Sequence, residues 1–206
     1  LVTTPDLRIV DFAVGLPGSQ HDASAWEETH LFKEHDKLLG KDEFVWADSA
    51  YPLRIWCQSP YKRPEKDLPE NTEFNYHVSA VRIRSEHGVG YFKGRWSSLR
   101  GLRLRIDNRK SLQFASLWII VCIILHNFAL EHEDDIDHSS DVFFRRGNQI
   151  VHGEISDKEA EQIAHEMAGG TNVEEEGDEI GLLEGKLKRE ELKQLLFEYL
   201  GRTTSD

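Results

Sequence analysis

Apolar and polar positions over the first fifty residues predict two strands and one helix. Leu7–Val14 is mainly apolar and precedes a turn-forming Gly-Leu-Pro-Gly-Ser segment, so we expect a strand there. Ala23–His35 suits a helix, and Asp22 is placed to cap its first turn. Glu43–Ala47 alternates and predicts a short buried strand, which Asp48 follows immediately. We expect the two strands to lie side by side in one sheet, with helices packed on it.

Longer periodicities predict two helices in the middle of the chain. Apolar residues recur at three- and four-residue steps over Asn75–Leu99, which contains no proline. Ser111–His132 is more strongly apolar, but its longest apolar run, Leu117–Leu125, has only nine residues. A membrane span needs about 20 apolar residues, so we expect a buried helix and no membrane partner. Seven of its residues should be covered by protein: Leu112, Phe114, Leu117, Trp118, Val121, Leu125 and Phe128.

Charge divides the chain near residue 130. The net charge is −12, yet residues 1–130 carry 17 Lys+Arg and 16 Asp+Glu, while residues 131–206 carry 8 and 21. The acidity therefore belongs to the C-terminal part. Val81–Lys110 holds nine Lys+Arg against two acids. Charge alone leaves two interpretations of this stretch open, a phosphate-binding surface and a solvated helix face.

The composition after His132 predicts an acidic, partly disordered, helical C-terminal extension over residues 133–206. Gly169–Gly181 is rich in Gly and Glu, which is typical of disorder and predicts early proteolysis. A capping box that begins at Ser156 predicts one helix, and Lys186–Leu200 predicts another with leucines on one side. We expect residues after about Asp134 to contribute little to the catalytic core.

Two carboxylates stand where a metal site could form. Asp48 follows a strand, at the edge where ligands of open α/β sheets gather, and Glu86 lies in the middle of a helix. Mg²⁺ is usually held by one or two carboxylates with water and substrate phosphate. The chain has 37 acidic residues, however. The pattern alone leaves open a purely structural alternative, in which Asp48 starts a turn and Glu86 pairs with Arg82.

Four segments, in order, resemble the conserved blocks of Harbinger-type transposases of the DDE superfamily. They share Gly-Ser-x-His-Asp, Ala-Asp-Ser-Ala-Tyr-Pro-Leu with a later Ser-Pro-Tyr, a long Glu block, and Cys-Ile-Ile-Leu-His-Asn. In this chain the segments are Gly15–Asp22, Ala47–Leu53 with Ser59–Tyr61, Phe74–Trp96 and Cys122–Asn127. Each motif is weak alone, but four in family order are specific, and the resemblance covers about Leu1–Leu130.

This resemblance implies an α/β fold, an RNase H-like mixed sheet flanked by helices, with the nuclease domain at residues 1–132. Asp48 matches the second acid of the family's metal site and Glu86 the third. The first acid lies in an upstream Asp-Gly-Thr block, which does not occur in this sequence. Either the sequence is truncated or the protein lacks that acid. Around these residues, Asp22 is better explained as a helix cap, His126 as a core histidine, and His21 stays open.

The function that the resemblance implies is DNA cleavage by a divalent-metal-dependent endonuclease or transposase-like enzyme. Asp48 and Glu86 would be catalytic and would bind Mg²⁺ or Mn²⁺. The expected contacts to DNA phosphates come from the basic side chains of the Glu block: Arg82, Arg84, Lys93 and Arg95. The resemblance also implies a nuclear location and a separate DNA-binding partner protein. The alternative is a domesticated, catalytically inactive transposase that acts as a DNA-binding or protein-interaction module.

Overall fold

The structure is a computed structural model, and it describes residues 1–16, 22–132 and 179–202. Within these ranges the side chains of Asp22, Ala23, Ile83, Arg84, Glu86 and His87 are not described. The predicted helix at Ser156 and residues 169–178 of the predicted disordered segment lie outside the described residues.

The described residues form a mostly helical α/β fold. The strands are β1 (Val2–Thr3), β2 (Ile9–Asp11), β3 (Val45–Trp46) and β4 (Cys57–Gln58). The α-helices are α1 (Asp22–Glu27), α2 (His30–Leu38), α3 (Pro69–Arg95), α4 (Arg109–His132) and α5 (Glu179–Tyr199). Two 3₁₀ turns, Glu65–Asp67 and Ser97–Arg100, flank α3. Helices are therefore present at the three longest predicted segments, although α3 and α5 begin six to seven residues earlier than expected.

The chain divides into two compact units, and the division falls within α3. The first unit contains Leu1–Lys33 and the described chain from Ile83 to α4, and the second contains Glu34–Arg82 and α5. In the first unit, β1 and β2 form an antiparallel hairpin in which Val2 lies opposite Asp11. The turn is closed by hydrogen bonds between Thr4 and Arg8 and between Leu7 and Thr4, both 2.9 Å.

The hairpin is held against α4 by two polar side chains. The Asn127 side chain accepts a hydrogen bond from the Ile9 N–H at 2.9 Å and donates one to the Ile9 carbonyl at 2.8 Å. Nε2 of His126 donates to the Leu7 carbonyl at 3.0 Å, and this ring is fully buried. Ile9 then packs in an apolar cluster with residues of α3 and α4: Phe92, Cys122 and Ile123. Cys122 is thus a buried core residue.

Helix α4 packs through a different face from the one predicted. Its buried residues are Ala115, Cys122, Ile123 and His126, whereas the seven residues expected to be covered are 37–59% exposed. That expectation is wrong within the described residues. Because Leu117–Leu125 is apolar all round, periodicity cannot tell the two faces apart, and the hydrogen bonds to β2 select the face with His126.

By length and composition, α4 is also the one helix among the described residues that could cross a membrane. This test is weak evidence, because core helices of folded domains pass it too. His126 and Asn127 form three hydrogen bonds with the β1–β2 hairpin, so one face of α4 packs against protein.

The predicted helix over Ala23–His35 is broken into α1 and α2 at Thr29. The hydroxyl oxygen of Thr29 accepts a hydrogen bond from the Phe32 N–H at 3.2 Å, so this residue caps α2. The Asp11 carboxylate accepts a second bond at the start of α2, from the Leu31 N–H at 2.5 Å. A carboxylate is favourable at the positive end of a helix. Asp11 thus has a clear structural role, and the side chain of Asp22, the predicted cap, lies outside the described residues.

In the second unit, β3 and β4 form a separate two-stranded sheet. They are parallel, with Val45 opposite Cys57 and Trp46 opposite Gln58. Segments Leu7–Val14 and Glu43–Ala47 therefore contribute to two different sheets, and the prediction that they are adjacent strands of one sheet is wrong for the described residues. Alternation predicts where a strand lies but not which strand it pairs with. Each of the two segments pairs with a strand that is closer to it in sequence, β2 with β1 and β3 with β4.

Helix α5 is part of the second unit. Its buried residues recur every four positions: Gly185, Arg189, Lys193 and Phe197. Leu192 and Leu196 pack against a buried cluster of Tyr61, Phe74 and Val78. The expectation that residues after Asp134 contribute little to the core is therefore wrong for α5. The leucine pattern did not predict this packing, because two of the buried positions, Arg189 and Lys193, carry charged side chains.

Candidate functional site

Asp48 is fixed at the C-terminal end of β3. Backbone hydrogen bonds pair Val45 with Trp56 at 2.9 Å and Ala47 with Gln58 at 2.8 Å. The chain then turns, and the Tyr51 N–H donates to the Asp48 carbonyl at 3.0 Å. The sequence predicted this carboxylate directly after a strand, and in the structure it lies two residues after Trp46, where β3 ends.

The two oxygens of the Asp48 carboxylate have different environments. Oδ1 accepts hydrogen bonds from Ser49, from its N–H at 2.5 Å and from its hydroxyl at 3.1 Å. Oδ2 lies 3.7 Å from a guanidinium nitrogen of Arg82, in an ion pair in which the Asp48 side chain is 39% exposed and the Arg82 side chain 14% exposed. The geometry therefore holds the carboxylate in place and leaves it open to solvent on one side.

Glu86 lies in α3, but its side chain is outside the described part of the structure, as is that of Arg84. Positions 82 and 86 are four residues apart in this helix, a spacing that places them on one face. Among the described side chains no group of three His, Cys, Asp or Glu residues could hold a metal ion. Asp48 by itself supplies one carboxylate of the kind that suits a hard divalent cation.

The profile of the DDE superfamily endonuclease family matches residues 1–127. The chain belongs to this family. The matched region contains Asp48 and Glu86 and covers more than half of the chain. The resemblance to Harbinger-type nucleases that the four motifs indicate is thereby confirmed.

Curated relatives agree with the family match. Protein ALP1-like from Arabidopsis thaliana is 25% identical over 187 residues, which cover 82% of this chain and 45% of the relative. Two proteins named Putative nuclease HARBI1, from Xenopus laevis and Homo sapiens, are each 28% identical and cover 73% of this chain. The match covers 42% of the Xenopus laevis protein and 43% of the Homo sapiens protein. The chain thus spans less than half the length of these relatives. No solved structure matches it.

The four predicted DNA contacts differ in availability. Lys93 is exposed, whereas Arg82 is in the ion pair with Asp48. Arg95 lies along its own helix, with its guanidinium 4.9 Å from the centre of the Tyr91 ring and a hydrogen bond to the Tyr91 hydroxyl. Arg84 lies outside the described side chains. The structure therefore brings Arg82 together with Asp48 and leaves Lys93 as the accessible cation among the described three.

Sequence reasoning missed a cluster of charged residues between α5 and the segment after β4. The Arg189 guanidinium lies 3.8 Å from the centre of the Tyr61 ring, and the Tyr61 hydroxyl donates to Glu190 at 2.6 Å. Nζ of Lys193 contacts the Glu190 carboxylate and donates to the side-chain oxygen Oδ1 of Asn71, both at 2.8 Å. The four-residue spacing of Gly185, Arg189 and Lys193 was a signal, but buried cations are too uncommon to be expected from it.

Burial and pairing shift the pKa values in this cluster. Burial, together with Glu190, raises the pKa of the Tyr61 hydroxyl, so the phenol stays protonated and donates. Burial lowers the pKa of the Arg189 guanidinium, although Tyr61 and Glu65 oppose this. Burial acts to raise the pKa of Glu190, but hydrogen bonds from Lys193 and Tyr61 outweigh it and leave the pKa below its usual value. These contacts attach α5 to the rest of the second unit, so we interpret the cluster as structural.

Proposed function

We propose that the chain is the part of a DNA endonuclease that carries two metal-binding carboxylates, Asp48 and Glu86, and that the enzyme cleaves phosphodiester bonds with Mg²⁺ or Mn²⁺. The observation that carries this proposal is the endonuclease family match, which includes both residues. The position of Asp48 at the end of β3, with a carboxylate open to solvent, supports it.

Each described residue at Asp48 has a role in this proposal. Ser49 holds Oδ1 through two hydrogen bonds and thereby fixes the orientation of the carboxylate. Arg82 balances the charge of Oδ2 from 3.7 Å, a distance at which the pair can open and leave this oxygen to a cation or Arg82 to a phosphate. A bound divalent cation would supply Lewis-acid charge for in-line phosphodiester cleavage.

We further propose the finer features that the resemblance implies. These are a Harbinger-type origin, an RNase H-like arrangement in the whole nuclease domain, a nuclear location, and a separate protein that helps recognise the target DNA. Lys93, Arg82, Arg84 and Arg95 are the proposed phosphate contacts near the Glu block. DNA is the proposed substrate because the family is one of endonucleases.

Metal-dependent thermal stability tests the assignment of the two carboxylates. Ligands that bind only the native state stabilise it, by about 2.7 kcal/mol at a hundredfold excess over Kd. We expect Mn²⁺ or Mg²⁺ to raise the Tm of the wild type, measured by circular dichroism, and to leave the Tm of the Asp48→Asn/Glu86→Gln double variant unchanged. A matched control, Asp36→Asn/Glu70→Gln, removes two acids elsewhere and should keep the metal response. The assignment fails if the Asp48/Glu86 double variant responds like the wild type.

Cleavage of DNA tests the activity separately from metal binding. Supercoiled plasmid incubated with Mg²⁺ and an extended form of the protein that also contains the first acid of the family's metal site should be nicked, and Glu86→Gln should abolish the nicking. A protein that binds metal through Asp48 and Glu86 but never nicks DNA would instead match the inactive, domesticated alternative. The two assays together therefore separate loss of the site from loss of the reaction.

A further inference from the structure

Residues 97–110, which comprise the connection after α3 and the first two residues of α4, form an exposed and strongly basic segment that we call the basic connection. It carries five cationic residues and one acid, Asp107, for a net charge of +4. All five cations are exposed: Arg100, Arg103, Arg105, Arg109 and Lys110. Arg105 is paired with Asp107 at 3.4 Å. A segment so short that keeps this much positive charge at the surface is a candidate for binding an anion.

The basic connection also forms the wall of an open cleft. The cleft has a volume of about 540 Å³ and is lined by Ser97, Ser98, Arg100, Gly101, Leu102 and Arg103. The indole N–H of Trp118 donates to the Ser98 hydroxyl oxygen at 3.1 Å, which ties this wall to α4. Guanidinium groups and serine hydroxyls are the side chains that commonly donate hydrogen bonds to phosphate oxygens. The lining therefore combines positive charge with neutral donors.

The start of α4 adds two cations to this surface. Arg109 and Lys110 occupy its first turn, which contains no acidic residue. The helix dipole is positive at this end, so cations here are unfavourable unless negative charge is nearby. Capping is already provided by Asn108, whose side-chain oxygen accepts a hydrogen bond from the Ser111 N–H at 3.0 Å. The two cations thus contribute nothing to the cap, and an anionic ligand would offset their cost.

We propose that the basic connection is a binding site for the phosphodiester backbone of DNA, with Arg100 and Arg103 lining the cleft and Lys110 in the first turn of α4. It is made of residues other than Asp48, Glu86 and the contacts predicted in the Glu block. The proposal rests on the proposed nuclease function only for the choice of DNA as the polyanion. An acidic polypeptide would also satisfy the charge, and DNA is chosen over it because the family is one of endonucleases.

Binding of DNA without cleavage tests this site. The full chain is titrated into a fluorescein-labelled 30-base-pair duplex in EDTA, and anisotropy gives the Kd at several KCl concentrations. Each phosphate contact adds about 0.9 to the slope of log K against log salt. We expect Arg100→Gln/Arg103→Gln/Lys110→Gln to weaken binding at least about tenfold and to reduce this slope by about 2 to 3. The substituted residues are exposed, and unchanged circular dichroism and Tm confirm that the variant is folded.

A matched control removes the same charge elsewhere: Lys37→Gln/Lys41→Gln/Arg63→Gln. It should bind the duplex within about twofold of the wild type and keep the salt slope. The proposal is overturned if the control loses as much affinity as the variant, if the variant binds like the wild type, or if the wild type does not bind DNA at 50 mM KCl. It is also overturned if poly-glutamate binds the wild type more tightly than the duplex does. Because EDTA prevents cleavage, a result here is independent of the plasmid-nicking assay.

Discussion

At the scale of single residues, the end of α4 shows how two polar side chains can determine which face of an apolar helix is buried. Asn127 satisfies both backbone groups of Ile9, and His126 satisfies the Leu7 carbonyl. Buried backbone groups are costly when unpaired, so these bonds favour one rotation of α4 over all others. The sequence predicted that His126 is a core residue and not a metal ligand, and its full burial agrees with that interpretation.

His126 should make the stability of the chain depend on pH. Burial lowers its pKa, and the nearby charge of Arg95 acts in the same direction, while the bond to Leu7 opposes them. The rings of Tyr91 and Phe92, which also face it, carry no charge at neutral pH. Because the folded pKa lies below that of the unfolded chain, the unfolded state takes up the proton first. Stability from neutral His126 is full above about pH 6.5 and is lost as the pH falls through the folded pKa.

Urea unfolding at pH 6.5 and pH 5.5 measures this effect. One group can contribute at most about 1.4 kcal/mol over one pH unit. We expect the wild type to lose more unfolding free energy over this interval than His126→Gln, which keeps a hydrogen-bond donor but does not titrate. Equal losses in the two proteins would show that other groups cause the pH dependence.

At the scale of elements, the positions of helices were easier to predict than the pairing of strands or the buried face of a helix. Three long helices follow from apolar periodicity, which is a local property of the chain. The pairing of β2 with β1 and of β3 with β4 could not be read from the same residues, because the strands are only two or three residues long and alternate like many others. The buried face of α4 was missed for a related reason, since both faces are apolar.

Two neighbouring isoleucines of α4 test the observed orientation. Ile123 is 2% exposed and Ile124 is 60% exposed. Replacing a buried isoleucine with alanine costs about 2 to 5 kcal/mol, whereas an exposed position costs little beyond the small change in helix propensity. We therefore expect Ile123→Ala to lower the free energy of urea unfolding strongly and Ile124→Ala to change it by less than about 0.5 kcal/mol. A large loss from Ile124→Ala would mean that the predicted face of α4 is covered by protein after all.

At the scale of the whole molecule, the sequence predicted the location of Asp48 better than its surroundings. A carboxylate at the end of a strand is a local pattern, and the structure has Asp48 two residues after β3. The ion pair with Arg82 joins residues 34 positions apart, and local periodicity carries no information at that distance. The pairing of Arg82 with Asp48 therefore needed the folded chain.

The same limit applies to α5, which joins the second unit from more than a hundred residues away. Charge composition led to the expectation of an independent acidic extension, yet the Gln58 amide donates to the Gly185 carbonyl at 3.3 Å. Arg189 reaches Glu65 at 3.4 Å and the Ser59 carbonyl at 3.3 Å. Composition describes the average of a segment, while docking depends on the few positions that face the partner.

Gly185 provides the sharpest test of this docking. A Cβ at this position would lie 2.9 Å from the Arg54 backbone nitrogen and 3.0 Å from its Cα, so α5 would have to move away from rigid backbone. At Gly90 of α3, nothing lies within 4 Å of the added atom. Alanine is favoured over glycine inside a helix by about 1 kcal/mol, so Gly90→Ala should stabilise the chain by up to that amount.

Gly185→Ala has the same gain in helix propensity, but its Cβ would clash with the backbone of Leu53 and Arg54. Such overpacking usually costs about 1 to 3 kcal/mol, so we expect this variant to be destabilised. We therefore expect opposite signs from one chemical change, measured as free energies of urea unfolding for the two single variants. If Gly185→Ala stabilised the protein as much as Gly90→Ala, α5 would not rest on the backbone of Leu53 and Arg54. The buried positions of Arg189 and Lys193, which lie on the same face of the helix, would then lose their explanation as well.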